Sequence, residues 1–134
     1  MTLNDSDKRQ LIAFRTEQSS EALSAARLML ENGFLSAAVN RIYYSTFYLI
    51  TALALKDGFT ASKHRQLIGW FNRTYIRTGV LGREYGRLVK TAFEKRNKGD
   101  YSELFRFEAT EVREMSDSAS DFFEKIRKLL EAAP

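Results

Sequence analysis

Apolar side chains at helical spacing constrain the fold of this chain more than any other feature. In the last third, apolar residues follow one another at intervals of seven, three, four, three, four and three: Phe105, Val112, Met115, Ala119, Phe122, Ile126 and Leu129. This spacing forms one stripe along a helix for more than three heptads. No stretch shows the alternation typical of a strand. The sequence therefore predicts an all-α protein.

Cap and stop residues divide the chain into five predicted helices. They run from caps at Asn4, Asp5 and Ser6 to about Glu31, from about Leu35 to Lys56, from near Ser62 to before Thr78, from about Arg83 to Lys98 with Gly99 as its stop, and along the final stripe. The second helix is apolar almost all round, which is typical of the centre of a bundle. We predict one domain over residues 1–134, an antiparallel up-and-down bundle of four long helices plus a shorter helix.

Amino-acid composition limits the kinds of site that the chain can contain. Cysteine is absent, which excludes disulfides and zinc–cysteine sites and suits the cytoplasm. His64 is the only histidine, and no clustered metal-ligand pattern accompanies it, so we predict neither a metal site nor a cofactor. The longest uncharged run, Ile42 to Leu55, has 14 residues, which is short for a membrane span. With no signal-peptide pattern at the N-terminus, we expect a cytoplasmic protein without a membrane partner.

Charge is unevenly distributed along the chain. Residues 63–98 contain ten basic and two acidic side chains, a net charge of +8, whereas residues 99–134 contain five basic and nine acidic ones, a net charge of −4. One explanation is a basic face that binds an anionic partner. The other is that the basic segment and the last helix lie side by side and neutralise each other.

The segment from Arg96 to Tyr101 is the first candidate site. Arg96 extends the apolar stripe of Val89 and Phe93 by one helical step, which places a permanent cation at the edge of a core. Asn97 and Asp100 offer polar atoms beside it, and Tyr101 adds a phenol. Such an arginine typically holds a carboxylate, a phosphate or a nucleic-acid backbone. A purely structural alternative is that Arg96 pairs with Asp100 or an acid of the last helix.

Three further residues, on the second and third helices, are candidates. Arg41 is the one cation in an otherwise uncharged stretch of the second helix, and Tyr44 lies on its face at i+3. Arg41 either forms an internal salt bridge or lines a cleft with Arg96, because an unpaired buried charge is costly. His64 is either a polar residue at a helix start or a ligand-contacting or acid–base group.

These residues resemble the HEPN superfamily (higher eukaryotes and prokaryotes nucleotide-binding), in particular its small stand-alone prokaryotic members. The resemblance runs from Ala25 onward and is carried by Ala37-Ala38-Val39-Asn40-Arg41-Ile42-Tyr43-Tyr44, by Lys63-His64 and by Arg96-Asn97-Lys98-Gly99-Asp100-Tyr101. It implies a helical bundle that is commonly a homodimer. It also implies a toxin–antitoxin pair in which the partner is a minimal nucleotidyltransferase.

Active members of the superfamily are metal-independent RNA endonucleases marked by an arginine and, four to six residues later, a histidine. Arg96 matches the arginine and Asn97 the polar position after it, but Tyr101 stands where the histidine is expected. An unperturbed phenol has a pKa near 10, too high for an efficient base at neutral pH. By this resemblance, Arg96, Tyr101 and His64 are the catalytic candidates. Arg41, Tyr44, Asn97, Asp100 and Lys63 are the ligand-binding candidates.

Three functional hypotheses remain open. The first is a protein with an altered nuclease motif that binds a nucleotide, an RNA or a nucleotidyltransferase partner. The second is an active ribonuclease toxin that uses Arg96 with Tyr101 or His64. The third is a purely structural helical dimer.

Overall fold

The computed structural model describes residues 3–101 and 106–132. Five α-helices follow in order: α1 (Asp5–Glu31), α2 (Leu35–Asp57), α3 (His64–Phe71), α4 (Arg83–Tyr101) and α5 (Ala109–Ala132). A π-helical turn, Asn72–Ile76, directly continues α3. No strand occurs in the described ranges, so the all-α prediction and its four long helices plus a shorter one are confirmed.

Helix α2 lies at the centre of the bundle and packs against α1, α3, α4 and α5. Its buried residues cover more than half of its circumference, and the remaining face, which carries Arg41, Tyr44 and Tyr48, is partly buried. Helix α5 packs against α2 and α1 and buries the predicted stripe at Val112, Met115, Ala119 and Phe122. Within the described residues, no helix combines the length and the apolarity needed to cross a membrane.

Local chemistry explains where the first two helices begin and end. The side chain of Asn4 accepts a hydrogen bond from the backbone N–H of Asp7 at 2.7 Å, which caps the start of α1. Gly58 has φ 76°, a left-handed conformation that ends α2 at low cost only with glycine. The start of α1 and the end of α2 both agree with the sequence prediction to within one residue.

Helix α3 begins at His64, two residues after the predicted start near Ser62, and it turns into the π-helical segment after Phe71. Two predictions about the other helices were wrong or fall outside the described residues. Helix α4 continues through Gly99 to Tyr101, so Gly99 does not stop it. Phe105, predicted as the first residue of the final stripe, lies outside the described residues, and α5 begins at Ala109.

Packing explains why a glycine stands inside α4. A Cβ atom on Gly99 would lie 2.8 Å from Cε2 of Phe107, a ring that is itself buried. Glycine is therefore required at this position because the Phe107 ring lies against the helix backbone. A sequence pattern does not distinguish this close approach from a helix stop.

A buried polar contact joins α1 to α2. The hydroxyl of Ser19 donates to the backbone carbonyl of Ser45 at 2.8 Å and lies 2.9 Å from the Ser45 hydroxyl. Both serines are fully buried. Buried hydroxyls need such partners, so this pair fixes the register between the two helices.

We predict that Ser19→Ala lowers the free energy of unfolding by about 1 kcal/mol, because it removes these hydrogen bonds from a buried site. Ser20→Ala is the matched control, since Ser20 is the next residue and is exposed. It should leave stability unchanged or raise it slightly, because alanine favours the helix. Urea unfolding followed by circular dichroism measures both variants. Equal effects would show that the Ser19–Ser45 contact contributes nothing.

Candidate functional site

Parts of three helices meet at one end of the bundle and bring most of the candidate residues together. Helix α2 contributes Arg41 and Tyr44, α3 contributes His64 at its first turn, and α4 contributes Arg96 and Asp100 near its end. We call this group, together with Asn40, Tyr43 and Asn97, the Arg96 cluster. Its members come from three separate segments of the chain, and the rings of Tyr43 and Tyr44 connect Arg41, His64 and Arg96.

Arg96 lies at the centre of the cluster with its side chain only 17% exposed. Its Nη2 donates to the Tyr44 hydroxyl at 3.0 Å, and its Nη1 donates to Oδ1 of Asn97 at 3.2 Å. Its Cζ atom lies 5.3 Å and 5.4 Å from the ring centroids of Tyr43 and Tyr44. Cation–π contacts and hydrogen bonds together hold the guanidinium in one orientation.

Asp100 provides the counter-charge for Arg96. Its Oδ2 lies 3.1 Å from the Arg96 Nε, although this N–H is not aligned for a hydrogen bond. The same oxygen accepts a hydrogen bond from Nδ2 of Asn40 at 3.2 Å. The ion pair is the structural role that the sequence suggested for Arg96, and the hydrogen bond ties α4 to α2.

Arg41 has no carboxylate within ion-pair distance in the described part of the chain. Its Nε and Nη2 donate to Oδ1 of Asn40, at 3.1 Å and 2.9 Å. Its Cζ lies 5.1 Å from the centroid of the Tyr44 ring, which also contacts Arg96. Among the described residues, the internal salt bridge suggested as one alternative for Arg41 does not form. Two guanidinium groups contact one tyrosine ring, and Asp100 pairs with one of them, Arg96.

His64 joins the cluster through Tyr43. Its Nδ1 lies 2.7 Å from the Tyr43 hydroxyl, and its ring stacks on Phe47 with a centroid distance of 3.9 Å. The Tyr43 ring in turn contacts Arg96. The first residue of α3 thus lies in the same cluster as Arg96.

Burial keeps the two groups that bridge α2 and α3 neutral. It lowers the pKa of His64 below its usual 6.5, and the nearby Arg96 guanidinium lowers it further. Burial also raises the pKa of the Tyr43 phenol far above 10. At neutral pH the imidazole and the phenol are thus uncharged, and the arginines supply the fixed positive charge.

The remaining candidates are less closely integrated. Lys63 is the residue that precedes α3; it is exposed and makes no side-chain cap. The backbone of Tyr101 ends α4, but its side chain lies outside the described part of the structure. Asn40 and Tyr43 were not among the site residues predicted from sequence. The motif around Arg41 contains both, yet nothing in a helical pattern shows which side chains reach α3 or α4.

The cluster suits a ligand with negative charge rather than a metal ion. Within the described residues, no group of three or more His, Asp or Glu side chains is arranged to hold a metal. The helix α3 begins here without a side-chain cap, so its N-terminal dipole adds to the positive potential. Paired guanidinium groups in this environment bind carboxylate or phosphate oxygens.

Comparisons with known proteins agree on one family. The family model described as HEPN domain matches residues 12–131. A "UPF0332 protein" from Thermotoga maritima is 39% identical over 125 residues, covering 93% of this chain and 95% of that protein. A protein from Methanocaldococcus jannaschii named "Putative toxin MJ0605" is 31% identical, covering 96% of this chain and 95% of its own. A second one, "Putative toxin MJ0142", is 28% identical over 85% of this chain and 78% of its own.

We predict that NMR titration of the single histidine gives a pKa below 6.5, because burial and Arg96 disfavour the imidazolium. Arg96→Gln should raise this pKa only in part, since burial is the larger cause. Because the folded-state pKa is lowered, the unfolded chain binds the proton first. The free energy of unfolding should therefore fall as the pH drops below about 6.5, and His64→Gln should remove that component. A pKa at or above 6.5 would contradict the buried environment.

Proposed function

The chain belongs to the HEPN family, and on this premise we propose that it is the HEPN component of a toxin–antitoxin-like pair whose Arg96 cluster binds a phosphate group of RNA or of a nucleotide. The observation that carries this proposal is the pair of guanidinium groups on the Tyr44 ring, at 5.1 Å and 5.4 Å, with one carboxylate near them. The two Methanocaldococcus relatives, by their names, support the toxin-like character.

The two arginines have different roles because their contacts differ. Arg96 forms an ion pair with Asp100 and donates hydrogen bonds to Tyr44 and Asn97, so its first role is to hold the cluster together. Among the described residues, Arg41 contacts only a neutral amide and a ring face, and no carboxylate there compensates its charge. An incoming phosphate would therefore gain most from Arg41, with Arg96 as a second, fixed donor.

The proposal also includes an antitoxin partner and a homodimer. A toxin-like protein needs an antitoxin, and the family resemblance suggests a minimal nucleotidyltransferase in that role. We also propose a homodimer and a cytoplasmic site of action, where RNA is present. Co-purification with the product of an adjacent nucleotidyltransferase gene tests the partner, and light scattering after size-exclusion chromatography tests the dimer.

We predict that Arg41→Gln weakens binding of a labelled single-stranded RNA by about tenfold, the effect of losing one charge-assisted contact. The slope of log affinity against log salt should become shallower by about 0.7, as for one lost phosphate contact on a single strand. Fluorescence anisotropy at several salt concentrations measures both quantities. Arg113→Gln is the matched control, because it removes the same charge from an exposed position on α5.

The outcome separates phosphate binding from a purely structural role. Equal affinities of the two variants would reject Arg41 as a phosphate ligand. If the wild-type protein binds neither RNA nor AMP while Arg96→Gln chiefly lowers the melting temperature, the cluster is structural and the proposal fails.

A second candidate function is RNA cleavage, and the 2.7 Å contact between His64 and Tyr43 favours it. In this mechanism His64 takes the proton of a 2′-hydroxyl, the 2′-oxygen attacks the phosphate, and the 5′-oxygen leaves and takes up a proton from water. Arg96 or Arg41 stabilises the charge that develops on the phosphate oxygens. The base must be Nε2, so the Nδ1–H has to donate to the Tyr43 oxygen. If the phenol donates instead, Nε2 carries the proton and His64 serves as a donor to the ligand.

We predict that any cleavage of labelled RNA in the presence of EDTA depends on His64 and yields 2′,3′-cyclic phosphate ends. His64→Gln should abolish it, whereas Tyr101→Phe should retain it, because an ordinary phenol is a poor base at neutral pH. Nitrogen-15 shifts of the imidazole report the tautomer independently of activity. Absence of cleavage at stoichiometric protein concentration would reject this candidate, and loss in Tyr101→Phe alone would assign the base to Tyr101.

A further inference from the structure

A basic groove crosses α3, from residues 59–61 on one side to α4 on the other, beside the Arg96 cluster but not part of it. Two depressions, with volumes of about 370 Å³ and 450 Å³, adjoin each other at Arg65 and Gly69. The charged residues that line them are Arg65, Arg73 and Lys90 against Glu94, which gives three positive charges and one negative, or +2. We call this surface the α3–α4 groove.

The cations of this groove are available to a ligand. Arg65, Arg73 and Lys90 are exposed, and none forms an ion pair within the described residues. Arg65 is supported by the Phe93 ring, whose centroid lies 5.7 Å from its Cζ. Permanent charges that the fold itself leaves uncompensated attract anions most strongly.

Two glycines shape the groove. A Cβ atom on Gly69 would lie 3.2 Å from Nη1 of Arg73, so the guanidinium lies across the bare backbone of α3. A Cβ atom on Gly86 would lie 3.3 Å from Ile76 in the π-helical turn. The π-helical turn and α4 therefore approach closely. Turns of this type occur frequently at functional sites.

The α3–α4 groove is continuous with the Arg96 cluster on both walls. On α3, Arg65 directly follows His64. On α4, Lys90, Phe93 and Asn97 share one face at i, i+3 and i+7, and the Phe93 ring contacts Tyr43 at 5.7 Å. From Lys90 to Arg96 the helix rises about 9 Å, on the order of three nucleotides of a stacked strand.

We infer that the α3–α4 groove binds the backbone of single-stranded RNA, one phosphate of which occupies the Arg96 cluster. This inference rests on the proposed function and extends its ligand from a single phosphate to a run of nucleotides. Each depression has the size of a small-molecule pocket, which suits one strand and not a duplex. Exposed, flexible cations contact phosphates without reading bases, so binding depends on strand length and salt more than on sequence.

The test compares a labelled 12-nucleotide single-stranded RNA, measured by anisotropy, with AMP, measured by calorimetry. Arg65→Gln/Lys90→Gln should weaken RNA binding at least tenfold and make the salt slope shallower by about 1.4, because two phosphate contacts are lost. Its affinity for AMP should not change. Arg113→Gln/Lys125→Gln removes the same charge from exposed positions on α5 and should leave both affinities unchanged.

The results distinguish failure of the groove from failure of the Arg96 cluster. If the groove variant binds the RNA like wild type while Arg41→Gln weakens RNA and AMP, the groove inference is wrong and the cluster stands. If wild-type protein binds neither probe, both fail. Poly-L-glutamate that displaces the RNA from wild-type protein at equal charge concentration would indicate an acidic protein partner instead. A change in molar mass of the groove variant in light scattering would indicate an interface between copies, which also overturns the inference.

Discussion

The central position of α2 is the constraint on which the rest of the structure depends. Four helices pack against it, so the polar side chains on its buried face must find partners inside the bundle. Ser45 finds one on α1, and Tyr43 finds one on α3. Arg41 finds only the neighbouring Asn40 amide and a tyrosine ring. The candidate site is the place where the apolar surroundings of α2 end and its polar residues reach the bundle surface.

Electrostatics at this site follow from the same burial. Removing water from Tyr43 and His64 favours their neutral forms, whereas an arginine stays charged at any pH relevant to a protein. The result is an uncharged aromatic frame around two fixed cations. Such a frame needs little rearrangement when an anion binds, because the guanidinium of Arg96 is already oriented by its partners.

Helix identity and the central position of α2 could be predicted from the sequence, because apolar spacing and glycine stops are local signals. The function of Gly99 could not, because it depends on the ring of Phe107, which arrives from beyond the end of α4. The partner of Arg41 was also unpredictable, since a helical pattern does not show which carboxylates come within reach. His64 was recognised as a candidate, but its contact with Tyr43 required knowing where α3 packs against α2. Which residues share a face of one helix could be predicted, whereas the contacts between residues of three different helices could not.

The uneven charge of the sequence now has a physical explanation. If the basic segment and the acidic last helix neutralised each other, ion pairs would join α4 to α5 throughout their contact. In the described part of the chain a single one does so, between Lys95 and Glu111 at 2.9 Å. The other acidic contact of α5 with α4, Asp121 with Tyr85, involves a neutral phenol. Direct ion pairing between α4 and α5 therefore neutralises little of the basic charge, and three of the basic residues, Arg65, Arg73 and Lys90, line the α3–α4 groove beside the Arg96 cluster. A protein that retains uncompensated cations along a groove forgoes little stability, because exposed ion pairs contribute at most about 1 kcal/mol each, and it gains a steering field for an anionic partner.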